Sequence, residues 1–306
     1  MNGRHHHHGH TQKRESLGYG LAFAVGTGLN IALVIFQIAY GLIGNSVALL
    51  ADAGHNFGDV IGLLLAWGSS AAARKAPSLR YTYGLRSTSI LAALANAIVL
   101  LIAVGAIALE AARRFGSAEP VAGKTVMIVA AIGILVNGGT ALLFMRGRRG
   151  DLNIRGAFTH MAADAGISLG VLVSGFLILT TGWLWLDPLV SLIISAIIVW
   201  GTWGLLRDSV NLALDAVPAG IDPAEVRTHL EGLQGVACIH DLHIWPMSTT
   251  ETALTCHLVM PAGHPGDAFL AAVAGTLHAQ FGIQHSTLQI ECEDNGACAL
   301  ASEHVV

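Results

Sequence analysis

The sequence predicts an α-helical membrane protein of six spans followed by a small α+β domain, and three observations carry that reading. Of 306 residues, 53% are hydrophobic and only 12% charged, against roughly 25% charged in ordinary soluble domains, and mean hydropathy is +0.61. Long runs free of Asp, Glu, Lys, Arg and His recur through the first two thirds of the chain. From about Asn211 onward charges return and the apolar runs shorten. This composition excludes a disordered chain and argues against a purely soluble one. The net charge of −4 and the lack of a basic stripe argue against a nucleic-acid partner.

Leu17 to Ala51 is uncharged and histidine-free, too long for one span of about 20 residues. The cluster Gly41, Gly44, Asn45, Ser46 is the expected break. The first span is then residues 17–40, and the second runs from Ser46 to Ala73, carrying Asp52, His55 and Asp59. Ser87–Leu109 and Thr125–Met145 supply spans three and four. Ala165–Leu186, extended backwards through Asp164 and His160 to Asn153, supplies the fifth, and Pro188–Leu206 the sixth. The segments before span one, between two and three, between four and five, and after six hold 13 of the 16 Lys and Arg residues. The positive-inside rule then puts both termini in the cytoplasm. The His-rich start shows no small-residue cleavage site, so no signal peptide is expected. The expected division is a flexible His-rich tail over 1–15, a membrane domain over 16–210 and a cytoplasmic domain over 211–306.

In the last part, Pro223–Leu233 reads as a helix capped by Asp222, with Pro at the first helical position. Val236–Trp245 and Thr252–Met260 read as strands, Asp267–Phe281 as a helix and Ser286–Glu293 as a strand. The order αββαβ predicts helices on one face of a sheet. All four cysteines, Cys238, Cys256, Cys292 and Cys298, fall here. In a reducing cytoplasm they are thiols or metal ligands rather than disulfides.

Ionisable residues inside a membrane helix are costly and functional by default. Five are expected: Asp52, His55 and Asp59 on span two, His160 and Asp164 on span five. His55-x-x-x-Asp59 and His160-x-x-x-Asp164 repeat one pattern. At i and i+4 each pair projects from one helix face, so two such helices offer two imidazoles and two carboxylates, a four-coordinate set suited to tetrahedral Zn²⁺. Gly58-x-x-x-Gly62 and Gly166-x-x-x-Gly170 sit on the same helices, and small residues at that spacing are expected to let the two helices approach. Asp52, three residues before His55, is read as a helix-capping or gating residue. Gly166-Ile-Ser-Leu-Gly170 matches a nucleophile-elbow pattern literally, but inside a membrane helix it lacks the strand–turn–helix context that chemistry needs.

Together these residues resemble the cation diffusion facilitator family, in its zinc-transporting branch of bacterial zinc/cobalt/cadmium efflux proteins and animal zinc transporters. Ala48-Leu-Leu-Ala-Asp-Ala-Gly-His-Asn-Phe-Gly-Asp59, His160-Met-Ala-Ala-Asp164 and His240-Asp-Leu-His-Ile-Trp245 carry the resemblance, which covers about residues 15–293. It implies a ferredoxin- or metallochaperone-like C-terminal domain and a homodimeric antiporter, not an enzyme. The antiporter would exchange Zn²⁺, with Cd²⁺ and Co²⁺ as further candidates, for protons at His55, Asp59, His160 and Asp164. Manganese- and iron-type members place Asp where this chain has His55, which argues against those metals. The resemblance also implies cytoplasmic metal ligands at His240, His257, His285 and Glu291. Cys292 and Cys298 stand nearby as ligands or free thiols, and His243 is read as a sheet residue without metal. Zn²⁺ would then be both cargo and regulatory ligand.

The His5–His8 and His10 run reads either as a zinc-collecting tail or as a tag remnant. The loop over 146–155 is basic and lacks histidine, unlike animal members, which favours a protein of a bacterial inner membrane. The alternatives to a transporter are a membrane-anchored metal sensor that does not transport and an intramembrane hydrolase. The sensor leaves the intramembrane site without a use, and the hydrolase lacks a nucleophile.

Overall fold

The computed structural model describes residues 9–116, 119–145 and 152–292. Six long helices come first: α1 (Gly9–Ile43), α2 (Val47–Ala73), α3 (Thr88–Arg114), α4 (Gly123–Phe144), α5 (Leu152–Thr181) and α6 (Leu186–Ala213). Five of them, all but α2, are long and apolar enough to cross a membrane. α2 has the length, at 27 residues, but Asp52, His55 and Asp59 lower its hydropathy. α1 begins at Gly9, so residues 9–15 are helical rather than part of a flexible tail. Thr11-Gln12-Lys13-Arg14-Glu15 contains no proline or glycine to stop the helix that the apolar run propagates. His5–His8 lie outside the described residues, as does most of the basic 146–155 loop.

Two compact units divide the chain. The first takes in the described residues up to Leu64 together with Asn96–Trp203, and the second Leu65–Ala95 with the chain from Gly204 onward. In the first, Ala48, Leu49 and Ala51 of α2 meet Val104 of α3, Val126, Val129 and Ala130 of α4, Val171 of α5, and Ile194 and Ile198 of α6 in one apolar core. α4 packs along α5 through Gly123 and Gly175. A Cβ on Gly123 would lie 2.9 Å from Gly175 O, and one on Gly175 would lie 3.1 Å from Gly123 O. The glycines expected to join α2 to α5 do something else. Gly58 and Gly62 face Leu100 and Asn96 of α3, while Gly166 and Gly170 face open space. The expected small-residue contact between those two helices is therefore corrected: α2 spends its glycine face on α3.

The second unit contains α7 (Pro223–Glu231), β1 (Cys238–Pro246), β2 (Thr252–Val259), α8 (Asp267–Phe281) and β3 (His285–Glu291), the αββαβ order read from the sequence. Asp222 Oδ1 accepts from Ala224 N at 2.8 Å with Pro at the first position, as a helix cap should. The sheet order is β1-β2-β3, antiparallel then parallel. Alternate β2 residues Leu254, Cys256 and Leu258 pack against Val226 and Leu230 of α7 and Val273 and Leu277 of α8, so both helices cover one face. The α2–α3 connection joins this unit at the β1–β2 turn. Arg86 Nη1 donates to Glu251 Oε2 at 2.8 Å, Ser87 Oγ to Met247 O at 3.2 Å, and Thr249 N to Ser89 Oγ at 3.1 Å.

Candidate metal centre

α2 and α5 bring His55, Asp59, His160 and Asp164 together. His55 Nε2 lies 2.9 Å from Asp164 Oδ1 and 4.0 Å from Asp59 Oδ2. His160 Nε2 lies 3.2 Å from Asp59 Oδ2 and 3.7 Å from Asp164 Oδ2. Tetrahedral Zn²⁺ with bonds of about 2.0–2.1 Å separates its ligand atoms by about 3.3 Å, and these four distances bracket that edge. His55, Asp59 and Asp164 hold ligand atoms all within 4.8 Å of one another. His160 stands at the rim, its side chain 43% exposed. Asp164 Oδ2 is buried without a hydrogen-bond partner, and Asp59 Oδ2 has His160 Nε2 beside it. A buried carboxylate oxygen short of donors, beside two imidazoles and a second carboxylate, fits a dication as ligand set.

Asp52 belongs to a neighbouring network. Its Oδ2 accepts from Gln37 Nε2 of α1 at 2.7 Å and from Ser168 Oγ of α5 at 3.0 Å, and Asn56 Nδ2 donates to Gln37 Oε1 at 3.0 Å. The capping half of the expectation for Asp52 is corrected. It is the sixth residue of α2, beyond the first turn where free N–H groups lie. That end is capped by Ser46 and by Asp187, the latter from the first turn of α6. Ser46 Oγ donates to Asp187 Oδ1 and accepts from Leu49 N at 3.1 Å, and Asp187 Oδ2 accepts from Val47 N at 2.7 Å. Asp187 is fully buried. It is a further buried carboxylate of the helical domain, and in the sequence it stands only as a residue between two uncharged runs.

In the sheet, His240, His257 and Glu291 converge on the face away from the helices. His240 Nε2 is 3.0 Å from Glu291 Oε2, His257 Nδ1 is 3.0 Å from Glu291 Oε1, and the imidazole rings are 4.8 Å apart. Their ligand atoms also fall within 4.8 Å of one another. Register explains the convergence: His240 pairs with His257 across β1–β2, and Val259 with Glu291 across β2–β3. Between His240 and His243 one extra residue enters β1. This bulge, with Asp241 at a left-handed φ of 52°, turns His243 to the same face. Asp241 then sits between His243 (Nε2–Oδ1 2.9 Å) and His257 (Nε2–Oδ2 3.5 Å).

His285 is not part of this group. It opens β3 opposite Ala253, about 20 Å along the strand from Glu291, with its ring 5.6 Å edge-on to Tyr83. Cys292 is exposed and follows β3, and Cys298 lies outside the described residues. Cys256 is buried on the helix side. Burial pushes its thiol up to about 12, so it stays protonated and offers no thiolate to a metal.

The cation efflux transmembrane domain family matches residues 23–212, and the cation efflux protein cytoplasmic domain family matches residues 218–293. The chain is 33% identical to the zinc transporter ZitB of Escherichia coli over 94% of its length and 92% of that protein's. It is also 33% identical to the cadmium, cobalt and zinc/H(+)-K(+) antiporter of Bacillus subtilis, over 85% of each. The metal cation efflux system protein CzcD of Cupriavidus metallidurans is 32% identical over 95% of the chain and 92% of that protein. Among solved structures, the metal-bound C-terminal domain of the CzcD transporter is 36% identical, covering 23% of this chain and 99% of that one, with a TM-score of 0.22.

Proposed function

Because the chain belongs to the zinc-transporting branch of the cation diffusion facilitator family, a family of cation efflux transporters rather than enzymes, we propose that it exports Zn²⁺ from the cytoplasm in exchange for protons. It works as a homodimer in a bacterial inner membrane, with both termini in the cytoplasm. The observation that carries this reading is the His55–Asp59–His160–Asp164 group with Asp164 Oδ2 buried and short of a donor. Two carboxylates balance a dication, and two neutral imidazoles complete four-coordination. Metal binds only deprotonated ligands, so loading releases protons, and protons arriving from the far side displace the metal. Alternating access follows when the group opens to one side at a time. Cd²⁺ and Co²⁺ accept the same donor set. The name of the Bacillus subtilis relative, which includes H⁺ among the exchanged ions, supports the coupling.

The His240, His257 and Glu291 group serves as a cytoplasmic zinc sensor on the open sheet face, with a fourth position left for water or the partner subunit. The test is reconstitution. In liposomes, His55→Ala and Asp164→Ala abolish zinc-dependent proton flux, while wild-type flux in either variant overturns the proposal.

A further inference from the structure

Asp52 is a fully buried carboxyl group that the metal site does not use. No basic side chain among the described residues forms an ion pair with it. Two neutral donors, Gln37 Nε2 and Ser168 Oγ, both serve Oδ2, and Oδ1 is buried with no partner. One turn further along α2, Asn56 Oδ1 is also buried without one. The local deficit is therefore of hydrogens: acceptor oxygens outnumber donors in a region where water cannot make up the difference. A bound proton converts Asp52 from acceptor-only into a donor and removes the charge that the membrane interior penalises.

We propose that Asp52 is a proton-binding site distinct from the four metal ligands, loaded when the metal site is empty and emptied when Zn²⁺ arrives. This rests on the antiport reading and names the group that carries a coupled proton. On loading, the O–H bond of the Asp52 carboxyl breaks and the proton passes to water; on metal release one proton returns.

The coupling follows from placement. Asp52 precedes His55 by three residues, about 4.5 Å along the helix axis, and its partner Ser168 follows Asp164 by one turn. Both sites thus bridge α2 and α5, and a dication one turn away in a weakly screened interior drives the proton off. The charged groups that act on Asp52 are His55 on its own helix and Asp164 on α5. α1 presents neutral Gln37. α4 presents Gly133, where a Cβ would lie 2.8 Å from Ser168 Oγ. The arriving metal is therefore the dominant change in charge around Asp52.

The test measures protons released per zinc by calorimetry of the full-length protein in buffers of different ionisation enthalpy, with His257→Ala included to silence the sheet group. Asp52→Asn is expected to keep zinc binding and to release about one proton fewer per zinc, with Asp52→Glu restoring the release. Unchanged release in Asp52→Asn overturns the proposal. If Asp52→Asn fails to fold, Ser168→Ala decides. Losing a donor to the anion favours the protonated form, so the pH at half-maximal zinc binding moves upward; an unmoved or lowered midpoint overturns the proposal. Release is expected to be the same when K⁺ is replaced by choline, and dependence on K⁺ overturns the proposal by making the site one for an alkali cation. Wild-type liposomes in which zinc moves no protons overturn the antiport reading itself, whereas intact coupled flux with unchanged release in Asp52→Asn overturns only the assignment of Asp52.

Discussion

Asp187 holds the start of α2 by accepting from Ser46 Oγ and Val47 N while itself buried. Removing a cap costs about 0.5–2 kcal/mol, so Asp187→Ala lowers the thermal midpoint of the protein in detergent and leaves zinc binding at His55 and Asp164 in place. A variant that melts like wild type contradicts the capping role. Cys256 makes a second prediction. Its folded-state thiol is held near 12 against a reference of 9.0 by burial. A raised folded value means its contribution is complete below pH 9 and fades as pH rises towards 12. Cys256→Ala therefore flattens the loss of stability of the 211–306 fragment between pH 8 and 11, measured by thermal unfolding. The grouping of His55, Asp59, His160 and Asp164 was legible because charge in an apolar run stands out. Asp187 was not, because its partner Ser46 is 141 positions away and only tertiary packing brings the starts of α2 and α6 together.

Helix and strand identities followed from hydropathy and from the turn residues, and α8 matches its expected bounds. What each helix face touches did not follow. Gly58 and Gly62 carry a small-residue spacing that says close approach without saying to which neighbour, and the neighbour is α3. Gly175→Leu, where Gly123 O and Val126 stand 3.0–3.1 Å from a new Cβ, is expected to destabilise by about 1–3 kcal/mol. Gly170→Leu, with nothing within 4 Å, changes stability by no more than about 0.5 kcal/mol. Thermal unfolding of the two variants checks the pair, and equal losses would contradict the packing. In the sheet, nothing in the sequence marks the bulge at Asp241, where one added residue reverses which side chains share a face. His285 was misjudged for a related reason, since parallel register puts it at the far end of β3 from Glu291. The 211–306 fragment is expected to bind zinc, and His257→Ala to lose that site in a titration.

At the scale of the whole molecule, scarce charge carries two kinds of information. The Lys and Arg left outside the spans give an orientation, and the few ionisable groups left inside them mark the site. One helix, α2, bears two of the four proposed metal ligands together with Asp52, so on this proposal it is the element through which metal and proton occupancy are linked. The most direct test is zinc uptake into proteoliposomes of the wild-type protein under an imposed pH gradient. Accumulation of Zn²⁺ that follows the gradient, dissipates it and stops when a protonophore collapses it is the predicted result. Zinc uptake indifferent to the gradient, or no uptake from a protein that still binds zinc, would contradict the exchange of metal for protons.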